Sequence, residues 1–331
     1  MQDSSLTVKP DAGQLEHSLE QHRAELTAYC YRMLGSPFEA EDAVQDTFVR
    51  AWRSYDGFEG RAALRSWLYR IATNVCLDML GGRERRARPM DLGPAWNPDG
   101  PIGRTLPEVT WIEPVPDGLV ATQGDPAEVA VSRETIRLAF VAALQHLPPR
   151  QRAALILCEV LRWKASEVAE LLDTSVASVN SALQRARSRL EASGVSSTDP
   201  VPALDESQRE LLARYVEAFE RYDMDALTSL IQEDATQSMP PYELWLSGRE
   251  NILRWWLGPG VACRGSRVIP TMAANGSPAF GQYRRSASGS GFDPWALQVL
   301  EIADGRIVEL TFFLDTERMF PLFGLPPRLE S

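Results

Sequence analysis

Residues 89–124 read PMDLGPAWNPDGPIGRTLPEVTWIEPVPDGLVATQG. Proline removes backbone donors and fixes φ, and the segment has neither helical nor alternating apolar spacing. Compact domains seldom contain a structureless loop this long. The chain is therefore expected to fold as separate bodies, with this segment as a linker. Its large apolar anchors are Trp96, Trp111 and Ile112. A second, shorter break, rich in Ser and Pro, covers 194–204. With 331 residues there is length for three domains, placed at 13–88, 125–193 and 205–331. Residues 1–12 are polar and are expected to add nothing to a core.

The first body carries helical spacing throughout. Leu15, Leu19, Leu26, Tyr29, Cys30 and Met33 predict one helix, stopped by Gly35-Ser36-Pro37. A second is expected over Glu39–Ser54, with Ala43, Val44, Phe48, Val49 and Trp52 as its apolar stripe. Glu39, Glu41, Asp42 and Asp46 crowd its first two turns. After a glycine-aromatic loop, Tyr55–Gly60, a third helix runs over Ala62–Leu80. Leu64, Trp67, Leu68, Ile71, Val75 and Leu77 are its core candidates. Between Arg61 and Arg88 stand seven Arg against two acids, Asp78 and Glu84.

In the second body, Asp125-Pro126 reads as a helix start, and Leu147-Pro148-Pro149 separates that helix from an amphipathic segment over Arg150–Leu161. A short helix over Ser166–Leu172, a turn at Asp173–Ser175 and a longer helix over Val176–Ala192 make a helix-turn-helix. The third body begins helical, over Leu204–Glu233. Strand-like runs follow at Ala279–Arg285, Trp295–Ala303 and Arg306–Leu314. Asp304-Gly305 between the last two is a strong hairpin signal. Helix followed by a curved antiparallel sheet predicts an α+β domain.

Charge decides between kinds of partner. A net charge of −11 argues against binding DNA by bulk electrostatics alone. Basic islands in an acidic chain point to a DNA contact made beside a larger partner. Cys30, Cys76, Cys158 and Cys263 have no ligand or redox spacing, and His17 and His22 do not share a helix face, so neither metal nor cofactor is expected. No apolar run has the length of a membrane span, and the N-terminus lacks a signal-peptide core, which leads us to expect a cytoplasmic protein.

Four ordered stretches carry a resemblance. These are Asp42–Trp52, Phe58–Tyr69, Ile71–Asn74 with Asp78 and the arginines after it, and Leu147–Arg152 leading into the helix-turn-helix. Together they resemble a bacterial RNA polymerase sigma factor of the extracytoplasmic-function type. Residues from about 205 onward resemble, more by pattern than by motif, a SnoaL-like domain. The fold so implied is multidomain: two all-α sigma domains, one −10-binding and one a −35-binding helix-turn-helix, followed by an α+β SnoaL-like cone.

The resemblance implies roles. Asp42, Gln45, Asp46 and Arg50 would bind core RNA polymerase at its β′ clamp helices, with the β subunit as a further contact. Phe58, Arg61, Arg65, Trp67, Tyr69, Arg70, Asn74, Arg83, Arg85 and Arg86 would serve the melted −10 element. Rings there stack on bases, Asn74 suits a base edge, and the arginines clamp phosphates. Trp67 has equal claim to be core. In the helix-turn-helix, Val179, Leu183 and Leu190 should point inward. Ser178, Asn180, Ser181, Gln184, Arg185 and Arg187 should face the −35 DNA. Asn180 and Ala182 depart from the family's commoner Lys and Arg, so the −35 sequence does not follow. The linker would either thread the polymerase channel or act as a plain tether. An anti-sigma factor is a further partner the family admits.

The tail would enclose a cavity, with Trp245, Trp255, Trp256, Tyr283, Trp295, Phe312 and Phe313 as lining candidates for a small-molecule ligand. Asp234 and Tyr242 are conceivable catalytic groups, but no second acid or histidine at a recognisable spacing supports them. No catalytic residue is assigned, and the tail is expected to pack on the sigma domains and tune them. Two other readings compete: a helix-turn-helix regulator with a ligand domain, which would bind DNA without polymerase, and a SnoaL-type isomerase.

Overall fold

A computed structural model describes residues 12–55, 63–120, 135–192 and 205–330. Helices α1 (Ala12–Glu20), α2 (Arg23–Leu34), α3 (Pro37–Ser54) and α4 (Leu64–Leu80) form the first body. The single helix expected over 15–34 is two, broken by a turn at Gln21-His22. Ser36 caps α3 by accepting from the Glu39 amide, with Pro37 at the first helical position, where its missing N–H costs nothing. Gly35, at φ 76°, ends α2 in the left-handed conformation that glycine takes freely.

The second body holds α5 (Leu138–Gln145), α6 (Pro149–Leu155), α7 (Ala165–Leu171) and α8 (Val176–Ala192). The expected helix start at Asp125-Pro126 lies outside the described residues. The N-terminus of α7 is closed by Glu167, whose carboxylate accepts from the Lys164 amide at 2.7 Å. The third body holds α9 (Glu206–Arg221), α10 (Met224–Leu230), α11 (Arg249–Leu257), α12 (Thr316–Leu322) and six strands. The helical stretch expected to reach Glu233 ends earlier, because β1 begins at Ile231.

The strands are β1 (Ile231–Ser238), β2 (Trp245–Ser247), β3 (Arg267–Pro270), β4 (Ala279–Arg285), β5 (Phe292–Ala303) and β6 (Arg306–Phe313), ordered β2-β1-β6-β5-β4-β3. The sheet is mixed rather than wholly antiparallel, since β1 runs parallel to β6. Asp304 and Gly305 both take positive φ, 50° and 68°, which lets two residues close the β5–β6 hairpin.

Strand alternation gives the sheet two buried faces. One face, with Ala235, Phe280, Leu300, Leu310 and Phe312, packs under α9, α10 and α11. The other, with Ala279, Tyr283, Leu297, Val299 and Phe313, joins Met319 and Phe320 of α12 in the same apolar cluster as the helical bodies. The tail is thus docked on the rest of the molecule through a face of its sheet.

Asn275 fastens that docking. It is fully buried, with φ 53°, in the turn before β4. Its Nδ2 donates to Tyr31 Oη at 2.7 Å and to the Ile136 carbonyl. Its Oδ1 accepts from the Val115 amide at 2.9 Å, and its own amide donates to the Val115 carbonyl at 3.0 Å. One side chain therefore meets α2, the linker and the approach to α5. Arg152 makes a second clasp, donating to the Met33 carbonyl at the end of α2 and to Gln145 Oε1 at 2.6 Å.

The linker is a strap along the tail. The Trp96 amide donates to the Trp245 carbonyl at 2.7 Å, Trp245 Nε1 to the Gly93 carbonyl at 2.9 Å, and the Leu106 amide to the Pro241 carbonyl at 2.9 Å. Further along, the Glu113 amide donates to the Gly35 carbonyl at 2.9 Å. Asn275→Ala strands several of these buried partners, each worth ~1–3 kcal/mol when left unpaired. We expect hydrogen exchange at Tyr31 and Val115 to speed up at least 5-fold in this variant while the exchange of β5 holds. Unchanged protection at Tyr31 and Val115 would contradict the latch.

Candidate nucleic-acid and protein interfaces

Helix α3 divides cleanly. Ala43, Val44, Thr47 and Ala51 are buried, whereas Asp42, Gln45, Val49 and Trp52 lie on the exposed side. Val49 and Trp52, expected in the core stripe, are 45% and 48% exposed. The buried side of α3 is filled by Ala40, Ala43, Val44, Thr47 and Ala51, with Phe38 and Phe48 half-buried beside them, which leaves Val49 and Trp52 outside. Asp46 and Arg50 pair at 2.9 Å, and Arg50 reaches Asp78 on α4 at 3.2 Å. The four residues expected to meet a protein partner thus share one region with two exposed apolar side chains. Such a mixture of apolar centre and polar rim is how a protein interface is built.

On α4, Arg70 and Asn74 are exposed one turn apart, on the helix side that also bears Asp78. The ring-bearing part of this helix is covered. Tyr69 is fully buried, its hydroxyl 3.3 Å from Glu25. Over it stands Trp163 of the second body, edge-on with centroids 5.1 Å apart. The Arg65 guanidinium lies 5.2 Å from the Tyr69 ring and 5.6 Å from that of Trp163, and pairs with Glu25 at 2.8 Å. Arg70 donates to the Glu170 carbonyl of α7 at 3.2 Å. Trp67 is half-buried against the core. In this arrangement Tyr69 is not available to stack on a base, contrary to expectation. Phe58 and Arg61 lie outside the described residues.

The arginines after α4 separate by depth. Arg83 is exposed and pairs with Glu39 at 2.6 Å, and exposed Arg85 meets the ring of His146. Arg86 is a correction: expected on phosphates, it is 6% exposed. It lies 3.0 Å from Glu39 and 3.6 Å from Glu113, and it donates to the Glu108 carbonyl at 3.1 Å and to the Trp111 carbonyl at 2.5 Å. Arg86 folds the linker back onto the first body. Glu113 sits between Arg86 and Arg318, the latter 3.2 Å away on α12. Burial pushes its carboxyl up to about 7, against the opposing pull of Ser36, Arg86 and Arg318.

The helix-turn-helix is as its spacing predicts. Val168, Leu171, Leu172, Val179, Leu183 and Ala186 are buried, and Leu190 is half-buried. Asp173 takes the left-handed turn conformation, and Ser175 caps α8 by accepting from the Ser178 amide at 3.1 Å. Ser178, Asn180, Ser181, Gln184, Arg185 and Arg187 all lie on the exposed side. Arg185 is held toward Ser181 at 2.6 Å, and Arg187 is paired with Glu159.

The tail's cavity is lined by Trp255, Trp256, Trp295 and Phe312, as expected, and by Phe219 and Gln237 among others, whereas Phe313, also expected, faces the other side of the sheet. Tyr283 is not among the lining residues. It sits on the opposite sheet face, edge-on to Phe320, with its hydroxyl on the Pro326 carbonyl at 2.8 Å. Trp245 points to the strap instead, one residue out of phase with inward Leu246. Asp234 is exposed on β1.

Comparison with known proteins agrees with this architecture. Residues 19–86 match the Sigma-70 region 2 family, 137–190 Sigma-70 region 4, and 212–310 the SnoaL-like domain. The chain is 46% identical over 321 residues to the ECF RNA polymerase sigma factor SigG of Mycobacterium tuberculosis, covering 96% of this chain and 85% of that protein. It is 31% identical to SigJ of the same species over 71% of this chain and 70% of that protein. The crystal structure of SigJ superposes with a TM-score of 0.58 at 23% identity, over 96% of this chain and all of that one, and so shares the fold. The chain belongs to the extracytoplasmic-function RNA polymerase sigma factors with a C-terminal SnoaL-like domain. No helix among the described residues is long and apolar enough to cross a membrane.

Glu113 makes the junction pH-sensitive. Its folded pKa of about 7 stands above the ordinary carboxyl value of 4.5. The folded state therefore keeps a proton that the unfolded state loses, and stability falls as pH rises from about 4.5 to about 7, by roughly 2–3 kcal/mol. His146, pulled down by burial and then by Arg85, works in the opposite direction. The check is the difference in thermal midpoint between wild type and Glu113→Gln. Wild type should lose ground steadily across that window, and parallel curves would refute the assignment.

Proposed function

We propose that this sigma factor meets core RNA polymerase through the exposed face of α3, melts and reads the −10 element with α4, and reads the −35 element with α8. The observation that carries this is the pairing of Asp42 and Gln45 with exposed Val49 and Trp52. Solvent alone gives no reason for two large apolar side chains to stand among acids on one helix face. The β′ clamp helices are the partner we assign to it, and the chain works in the cytoplasm, where polymerase is. Arg70, Asn74, Arg83 and Arg85 are the α4-side groups at the surface, and Arg185, Arg187 and Arg189 are the cations on α8.

The tail acts as a holder rather than as an enzyme. It keeps the linker strapped along its edge and the second body over α4. Trp163 occupies the side of Tyr69 and Arg65 that DNA would approach. In the free protein this suppresses −10 binding, and polymerase must separate the two helical bodies before promoter recognition. An anti-sigma factor would have to contend with a molecule already closed on itself.

Run-off transcription with core enzyme is the test of the assignment. Trp52→Ala should raise the Kd for core polymerase about 10-fold or more, as an interface anchor does, with its thermal midpoint kept. Wild-type affinity in that variant would refute the α3 assignment. Trp163→Ala removes an aromatic pair and a cation–π contact worth ~1–2 kcal/mol together. Free protein carrying it should bind single-stranded −10 DNA about 3- to 10-fold more tightly than wild type. No gain would show that Trp163 does not gate α4.

A further inference from the structure

The cavity under the sheet serves none of the contacts described above. Gln237 stands on β1 in register with Leu246 and Leu310, so its side chain shares their inward face. It is 1% exposed, and its Oε1 has no hydrogen-bond partner. Polar side chains elsewhere on this inner face are paired. Gln298 accepts from the Tyr215 hydroxyl at 2.9 Å and donates to Gln282 at 2.9 Å, and Gln282 donates to Ser266 at 3.1 Å. The Tyr222 hydroxyl is taken up by the Trp256 and Gly260 carbonyls. A buried amide oxygen without a partner costs ~1–3 kcal/mol. Beside an open cavity, it marks where a bound molecule makes its bond.

The lining sets the chemistry. Aromatic and aliphatic groups surround Gln237, and no charged side chain is among them. Arg264 and Arg284 stand on the Tyr222 and Trp295 rings, 5.3 and 4.0 Å from their centroids, but outside the lining, so an ionised group at Gln237 would have no counter-charge in hydrogen-bonding contact, at high cost. The cavity holds about 30 Å³ and opens to solvent. That is room for about two waters, hence for a hydroxyl and the carbon that bears it. The remaining body would lie at the mouth, against Trp295 and Met224, the partly exposed large side chains of the lining. A hydroxyl both donates and accepts, so it satisfies either end of a rotatable amide.

We infer that the SnoaL-like domain binds a small neutral alcohol or phenol, with its hydroxyl on the Gln237 amide and its apolar body against Trp295 at the mouth. This assignment stands whether or not the chain acts as proposed on DNA.

The test is calorimetric titration of the full-length protein with phenol and with toluene, its hydroxyl-free counterpart. Wild type should bind phenol saturably at one site per chain and toluene at least 5-fold more weakly. Gln237→Leu should abolish that preference while melting no lower than wild type, since its orphan amide is gone. If the variant fails to fold, the wild-type ratio still decides. Equal affinity for the two probes, or no saturable phenol binding, overturns the inference. So does a Gln237→Leu protein that keeps the preference, for then the amide is satisfied by internal water.

Discussion

The structure depends on one buried amide. Asn275 has a donor and an acceptor on a short stem, and it tolerates the left-handed backbone of its turn. Those properties let it bond Tyr31, Val115 and Ile136 at once. Each bond joins residues far apart in sequence, so none forms until the tail has docked. Docking in turn places the outer face of the sheet in the common apolar cluster. Polar matching and apolar burial thus depend on each other, which makes the closed arrangement one cooperative unit.

The two faces of the sheet carry separate duties. The outer face, with Tyr283 and Phe313, is spent on holding the helical bodies. The inner face, with Gln237 and Phe312, encloses the cavity. Phe312 and Phe313 are neighbours on β6, so a single strand borders both. In the helical bodies the same economy puts Trp163 over Tyr69, where one contact both buries a ring and covers α4. The strap adds a third layer, because Arg86 and Glu113 tie the linker to the first body while Trp96 and Leu106 tie it to the tail.

Local periodicity makes much of this legible in the sequence. The inward Val179 and Leu183, the outward Ser178 and Gln184, and the Asp304-Gly305 hairpin follow from spacing and turn chemistry alone. The bounds of β4 were readable for the same reason. What spacing does not encode is which face a distant partner covers. Arg86 looks like a phosphate clamp until Glu113, far along a linker, is folded against it. Val49 and Trp52 look like core until Ala40, Ala43, Val44, Thr47 and Ala51 are seen to fill the buried side of α3. Tyr283 is one register step from the cavity, and alternation puts it outside. Gln237 gave no sequence signal, because an isolated glutamine in a strand becomes informative only when its neighbours are known to be apolar and its bonds are counted.

The central claim is that the free protein is closed, with the second body over α4, and that polymerase opens it. Its most direct test is the distance between dyes at exposed Gln21 and exposed Ser188, measured by single-molecule energy transfer with and without core polymerase. The account predicts one compact, high-transfer population for free protein and a clear fall in transfer when core enzyme binds. A free protein already in the low-transfer state, or a transcriptionally active complex that keeps the high-transfer distance, would contradict it.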